Sequence, residues 1–157
     1  GSAGVALLPG FERERASRQP DVGGVLTGLR AHVGPEHLAR AAVEGVVCSV
    51  LDGLDALRAA DVPVGGRISL IGSGARSHAF QRILADLSGR AVTVPQGERV
   101  ATGACVQAAA ALHGQPPEQI AAAWALAPTR QLDPSDRGDS AAVRDRYRAA
   151  QARSYVD

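Results

Sequence analysis

Apolar residues fall in short runs at the start of the chain and settle into helical spacing soon afterwards. Val5-Ala6-Leu7-Leu8 is a run stopped by Pro9-Gly10, and it predicts a strand. The stretch 11–19 is polar, with Glu12, Arg13, Glu14, Arg15 and Arg18, and predicts an exposed loop. Val25-Leu26-Thr27-Gly28-Leu29, after Gly23-Gly24, predicts a second strand. Gly34-Pro35-Glu36 then opens a helix, because Pro suits a first turn and an acid suits the positive end of the helix dipole. Leu38, Ala41, Ala42, Gly45, Val46, Ser49, Val50, Gly53, Leu54 and Leu57 recur three and four residues apart, so the helix runs to about Ala60. Its small residues, Ala42, Gly45, Ser49 and Gly53, leave room for another element to pack closely.

Arg67-Ile68-Ser69-Leu70-Ile71 predicts a strand ending in Gly72-Ser73-Gly74. Ser77 suits the N-cap of a helix to Leu87 or Ser88, with Phe80, Ile83, Leu84 and Leu87 as its inner stripe and Gly89 as its stop. Ala91-Val92-Thr93-Val94 is the next strand, closed by Pro95-Gln96-Gly97. An Ala-rich helix over 98–113 ends at Gly114, and another follows Pro116-Pro117 to about Ala125. A Pro- and Asp-rich stretch over 128–139 leads to a last helix over 140–154. The order strand, helix, strand, helix from Arg67 onward implies a parallel pair joined by a right-handed crossover. The two opening strands add an antiparallel portion. The fold class is therefore α/β, a mixed sheet with packed helices.

Composition narrows the function. A chain of 157 residues suits one domain spanning 1–157. It contains no Met and opens Gly1-Ser2-Ala3, so it is expected to be processed at its N-terminus or to be a piece of a longer chain. The net charge of +1 does not favour nucleic acid or an anionic membrane as a partner. No apolar run approaches the ~18 residues of a membrane span, and the first residues given lack the basic and long apolar regions of a signal peptide. Cys48 and Cys105 both sit in apolar helical stretches and read as small buried hydrophobes in a reducing cytoplasm. His32, His37, His78 and His113 form no paired spacing for a metal. Arg144, Arg146, Arg148 and Arg153 read as a solvated face with ion pairs, Asp52 and Asp55 as surface charge, and Trp124 and Tyr147 as core or rim packing.

Chemistry concentrates at Gly72-Ser73-Gly74-Ala75-Arg76-Ser77-His78, where a strand delivers the chain through a glycine turn into a helix. Bare backbone at Gly72 and Gly74 allows close approach to a flat or anionic ligand, and the helix start offers free N–H groups. The dinucleotide pattern GxGxxG fails, because Ser77 stands where a third Gly belongs. A P-loop is excluded, since the chain has no Lys. On these residues alone, a ligand turn and a merely structural turn both stay open.

The run Leu70-Ile-Gly-Ser-Gly-Ala-Arg-Ser77, then Gln81-Arg-Ile-Leu-Ala-Asp86, then Gly89-Arg-Ala-Val-Thr-Val-Pro95 resembles the C-terminal domain of the FGGY carbohydrate kinases, with actinobacterial xylulokinases nearest. Leu7-Leu8-Pro9 with Glu14-Arg15, Pro20-Asp21-Val22-Gly23-Gly24 with Gly28-Leu29, Ala39-Arg40-Ala41-Ala42-Val43-Glu44-Gly45, and Gly97-Glu98 with Thr102-Gly103-Ala104 are similar to further family stretches in the same order. The resemblance implies a ribonuclease-H-like, actin-like ATPase domain that binds ATP or ADP. It places Gly72, Ser73, Gly74 and Ala75 along the adenosine, flanked by Arg76, Ser77 and His78. Ser73 stands where the family has Gly, and His78 where its glycerol kinases have Asn. By the same resemblance the sugar, the catalytic base and the Mg²⁺ ligands belong to an N-terminal domain absent from this chain, the metal being held there or on the nucleotide. None of Asp52, Asp55, Asp61 or Asp86 stands in a matching catalytic motif. The implied reaction of the parent is ATP plus D-xylulose to ADP plus D-xylulose 5-phosphate. Ribulose, gluconate or glycerol as substrate, or a non-catalytic scaffold of this fold, are the alternatives. Apolar surface left by an absent partner domain is expected to favour self-association.

Overall fold

The computed structural model describes residues 1–10, 23–95, 97, 99–125, 129–135 and 139–154. The loop expected over 11–19 lies outside the described residues. Strands β1 (Ala6–Leu8) and β2 (Val25–Thr27) pair antiparallel, with Leu7 opposite Leu26. Helix α1 (Pro35–Ala59) follows, with Pro35 in its first turn and Glu36 at its positive end. The Gly34 N–H, one of the donors a helix start leaves orphaned, donates to His37 Nδ1 at 3.0 Å.

Strand β3 (Ile68–Ser69) runs parallel to β4 (Val92–Pro95), and helix α2 (His78–Ser88) connects them. Helices α3 (Arg99–His113) and α4 (Pro117–Ala123) come next, then β5 (Thr129–Leu132) and α5 (Ser140–Ser154). Strand β5 pairs antiparallel with β4, setting Arg130 opposite Val94. The sheet is thus mixed, in the order β3-β4-β5. Its antiparallel member is β5, whereas the opening strands form a separate two-stranded sheet. Hydrophobic pattern marks a strand but not the sheet it joins. Strand β4 is central because Val92, Thr93 and Val94 are all buried, which suits β-branched side chains covered on both faces.

The core lies where α2 meets the sheet on one side and α1 and α5 on another. Leu8, Val47, Leu51, Ile83, Leu84, Val92, Val143 and Tyr147 belong to it. Gly45 lets β1 approach α1, since a Cβ there would collide with the Leu7 carbonyl. Cys48 is buried in the same core, and burial pushes its thiol up to about 11 against the opposing pull of Arg144, so it is an inert hydrophobe at neutral pH. Cys105 corrects the sequence expectation: it is exposed. Helix α3 buries only Val106 and Ala110, against Ile120 of α4, and leaves its other faces outside this small cluster.

Three polar residues of α2 tie down the chain after α4. Gln81 accepts from Arg130, Arg82 donates to the Asp133 carbonyl at 2.6 Å, and Asp86 accepts from the Ser135 N–H at 2.8 Å and its hydroxyl at 2.9 Å. Ser140 donates to the Asp86 carbonyl at 2.8 Å, which starts α5 against α2.

Asp52 and Asp55 do more than sit on the surface. Arg144 of α5 donates to both, at 3.1 and 2.6 Å, and Arg148 reaches Asp55 at 3.3 Å. Slight desolvation pushes the Asp55 carboxyl up, but its bonds and charge pairing with Arg144 and Arg58 outweigh this and hold it below 3.8. A depressed carboxyl stabilises the fold above its unfolded value and loses that contribution as pH falls through its folded value. Arg144→Ala is therefore expected to cost about 1–2 kcal/mol at neutral pH, since the pairs are only partly buried. The difference from the parent chain should shrink below pH 4 in urea unfolding curves; a difference unchanged by acid would contradict the assignment.

Candidate nucleotide site

The glycine turn begins where β3 ends. Gly72 has φ 83° and ψ −159°, a conformation open only to glycine in practice. It turns the chain into a single 3-10 turn, Ser73–Arg76, closed by Ala75 N–H donating to the Gly72 carbonyl at 3.1 Å. Ser77 then caps α2 as the sequence suggests: its Oγ accepts from the Phe80 N–H at 3.2 Å. Gly89, in the left-handed region, closes the same helix.

A groove of about 510 Å³ opens beside this turn. One wall is Ile71, Gly72, Ala75, Arg76, His78 and Gln81. The other is Val94, Pro95, Gly97 and Arg99, with Arg130 of β5 completing it. It lies at the carboxyl ends of parallel β3 and β4, the edge at which open α/β sheets bind ligands. Of the residues singled out by sequence, Gly72, Ala75, Arg76 and His78 line it. Ser73 is exposed outside the wall, Gly74 packs towards Phe80, and Ser77 is spent on the helix cap.

Among the described residues the groove's charge has one sign. Arg76, Arg99 and Arg130 line it, and no carboxylate does among the described residues. Gln81 is buried and joins the two walls: its Nε2 donates to the Ala75 carbonyl at 2.6 Å and its Oε1 accepts from Arg130. No group of three or more His, Cys, Asp or Glu side chains that could hold a metal ion occurs among the described residues. The site is therefore equipped to bind an anion with an apolar portion, and its described residues form no nucleophile–base pair.

Sequence reasoning passed over Gln81, Pro95, Gly97, Arg99 and Arg130. Gln81 carried a signal, because it stands three residues before Leu84 on the buried stripe of α2, where an amide needs partners. The loop after β4 was also legible, since parallel strands bring their carboxyl ends together. Arg130 gave none.

A family model described as the FGGY family of carbohydrate kinases, C-terminal domain, matches residues 2–112. The chain belongs to the FGGY family. The xylulose kinase of Streptomyces rubiginosus is 40% identical over 137 residues, 87% of this chain and 28% of that protein. A gluconokinase of Bacillus licheniformis is 37% identical over 109 residues, 68% of this chain and 21% of that protein. The crystal structure of the xylulose kinase from Bifidobacterium adolescentis superposes with a TM-score of 0.70 at 36% identity, over 96% of this chain and 29% of that one. The fold is thus the ribonuclease-H-like, actin-like ATPase fold of the FGGY kinases. The chain spans between a fifth and a third of the length of these relatives. Strand β5 and helix α5 lie beyond the segment that the FGGY model matches.

Two glycines of the turn should respond differently. A Cβ on Gly72 meets no atom within 4 Å, so Gly72→Ala is strained by backbone alone and should cost about 1–3 kcal/mol. A Cβ on Gly74 would touch Phe80 at 3.5 Å, ordinary contact, so Gly74→Ala should change stability by under about 1 kcal/mol. Thermal unfolding of both variants checks the pair; equal effects would contradict the turn geometry.

Proposed function

We propose that this chain is the nucleotide-binding C-terminal domain of an ATP-dependent sugar kinase, and that the sugar is D-xylulose, phosphorylated to D-xylulose 5-phosphate. The observation that carries the nucleotide part is the groove beside the glycine turn, with three guanidiniums and no carboxylate among its described lining residues. Its apolar members, Ile71, Val94 and Pro95, suit a base or ribose, while Arg76, Arg99 and Arg130 suit phosphate. The similarity to xylulose kinases at 40% identity supports the sugar. Gluconate is the second reading, favoured by the similarity to a gluconokinase at 37%.

Phosphoryl transfer needs a positioned base and magnesium. Magnesium is a hard cation that takes oxygen ligands. The guanidinium, imidazole, amide and apolar side chains of the described groove do not fit it, and this chain's part in the reaction is to bind and orient the nucleotide. Both cysteines are free, which suits a reducing, cytoplasmic setting. No helix among the described residues is long and apolar enough to cross a membrane.

Calorimetric titration of the 157-residue chain with ADP should give a single site, with amide NMR shifts centred on Gly72, Ala75, Arg76 and Arg130. Absence of binding at millimolar nucleotide would overturn this reading in favour of a scaffold domain. Mixed with ATP, magnesium and D-xylulose, the chain alone should form no product; measurable turnover would contradict the two-domain division of labour. Val100, Leu112 and Trp124 are exposed on or beside α3 and α4, so sedimentation velocity should show association as concentration rises. A strictly monomeric chain would count against an absent neighbour.

A further inference from the structure

Gln81 is 3% exposed, on the apolar stripe of the helix that carries the core. Leu or Met would fill such a position without polar groups to satisfy, and a buried amide is costly unless both of its ends are bonded. Both ends are bonded here, and the partners fix which way the amide points. A guanidinium only donates and a backbone carbonyl only accepts, so Oε1 faces Arg130 and Nε2 faces Ala75. Ala75 belongs to the glycine turn, whereas Arg130 comes 55 positions later, on the strand that pairs with β4. One buried side chain thus sets the relation of the turn to the opposite wall.

Arg130 itself is exposed, and its main-chain position opposite Val94 puts it at the groove. An exposed arginine samples many rotamers, and ordering it for a ligand is unfavourable by the entropy lost. Gln81 holds one amino group of the fork, which leaves further N–H donors on a guanidinium already placed in the groove wall. Preorganised donors of this kind add affinity because the ordering precedes binding.

We propose that Arg130 is an anion ligand of the groove, contacting a phosphate of the bound nucleotide, and that Gln81 is the positioning residue that presents it. This rests on the nucleotide reading of the groove. Arg130→Met, Gln81→Met and the double variant of the full 157-residue chain test it, with ADP as probe in calorimetry and adenosine as probe in NMR titration. Each single variant should weaken ADP roughly ten-fold, the fold-change of one hydrogen bond to a charged group. The double should be no weaker than the worse single, because the two residues act as one unit. Adenosine affinity should be unchanged by Arg130→Met, although the thermal midpoint should fall because Gln81 Oε1 loses its partner; a merely structural role would weaken adenosine as much as ADP.

ADP affinity at the parent's level in Arg130→Met, additive losses in the double, or adenosine weakened as much as ADP would each overturn the proposal while leaving the nucleotide reading intact. A parent chain that binds no ADP would remove both. Arg130 is exposed, so its variant decides the question even if Gln81→Met fails to fold.

Discussion

Helix α2 is the element on which the domain is hung, and it does so with two kinds of residue. Its apolar stripe, Ile83, Leu84 and Leu87, is buried between the sheet and the α1–α5 pair, and this supplies the hydrophobic stabilisation. Its polar residues Gln81, Arg82 and Asp86 then hold Arg130, Asp133, Ser135 and Ser140. Without the second set, β5 would keep its pairing with β4 and Leu132 against the core, and α5 would keep Val143, Tyr147 and Ala150 in that core, but the chain between them would lose its polar ties to α2. The N-terminus of the same helix starts from Ser77, so the glycine turn takes its position from the core as well.

The groove follows from that arrangement. Parallel β3 and β4 place their carboxyl ends side by side, and each continues into a segment containing a positive-φ glycine, Gly72 and Gly97. Antiparallel β5 then brings an arginine to the same place from the opposite chain direction. Among the described residues charge of one sign collects there, while Glu44, Asp52 and Asp55 of α1 are occupied elsewhere: Glu44 by Arg40, and Asp52 and Asp55 by α5. The nearly neutral composition therefore conceals a local imbalance, which is what an anionic ligand would meet.

Much of this was legible in the sequence. The three- and four-residue spacing gave α1, the serine cap and Gly89 gave α2, and the last helix falls over the residues predicted for it. The turn at Gly72 was legible because strand, glycine and helix start stood together. Strand β5 was not, since Thr129-Arg130-Gln131-Leu132 has one large apolar residue and became a strand only because the edge of β4 offered unpaired backbone. Arg130 was hidden for the same reason, as was its bond to Gln81. The exposure of Cys105 was hidden differently: an Ala-rich helix looks alike on every face, and only its packing against α4 selects the buried one.

The proposed nucleotide site is the groove between the glycine turn and β5. A crystal structure of this chain grown with ADP tests it most directly. ADP should lie in that groove, with backbone of the turn at Gly72 and Ala75 on one side and guanidinium groups on its phosphates. ADP bound at another face, with this groove left to solvent, would contradict it.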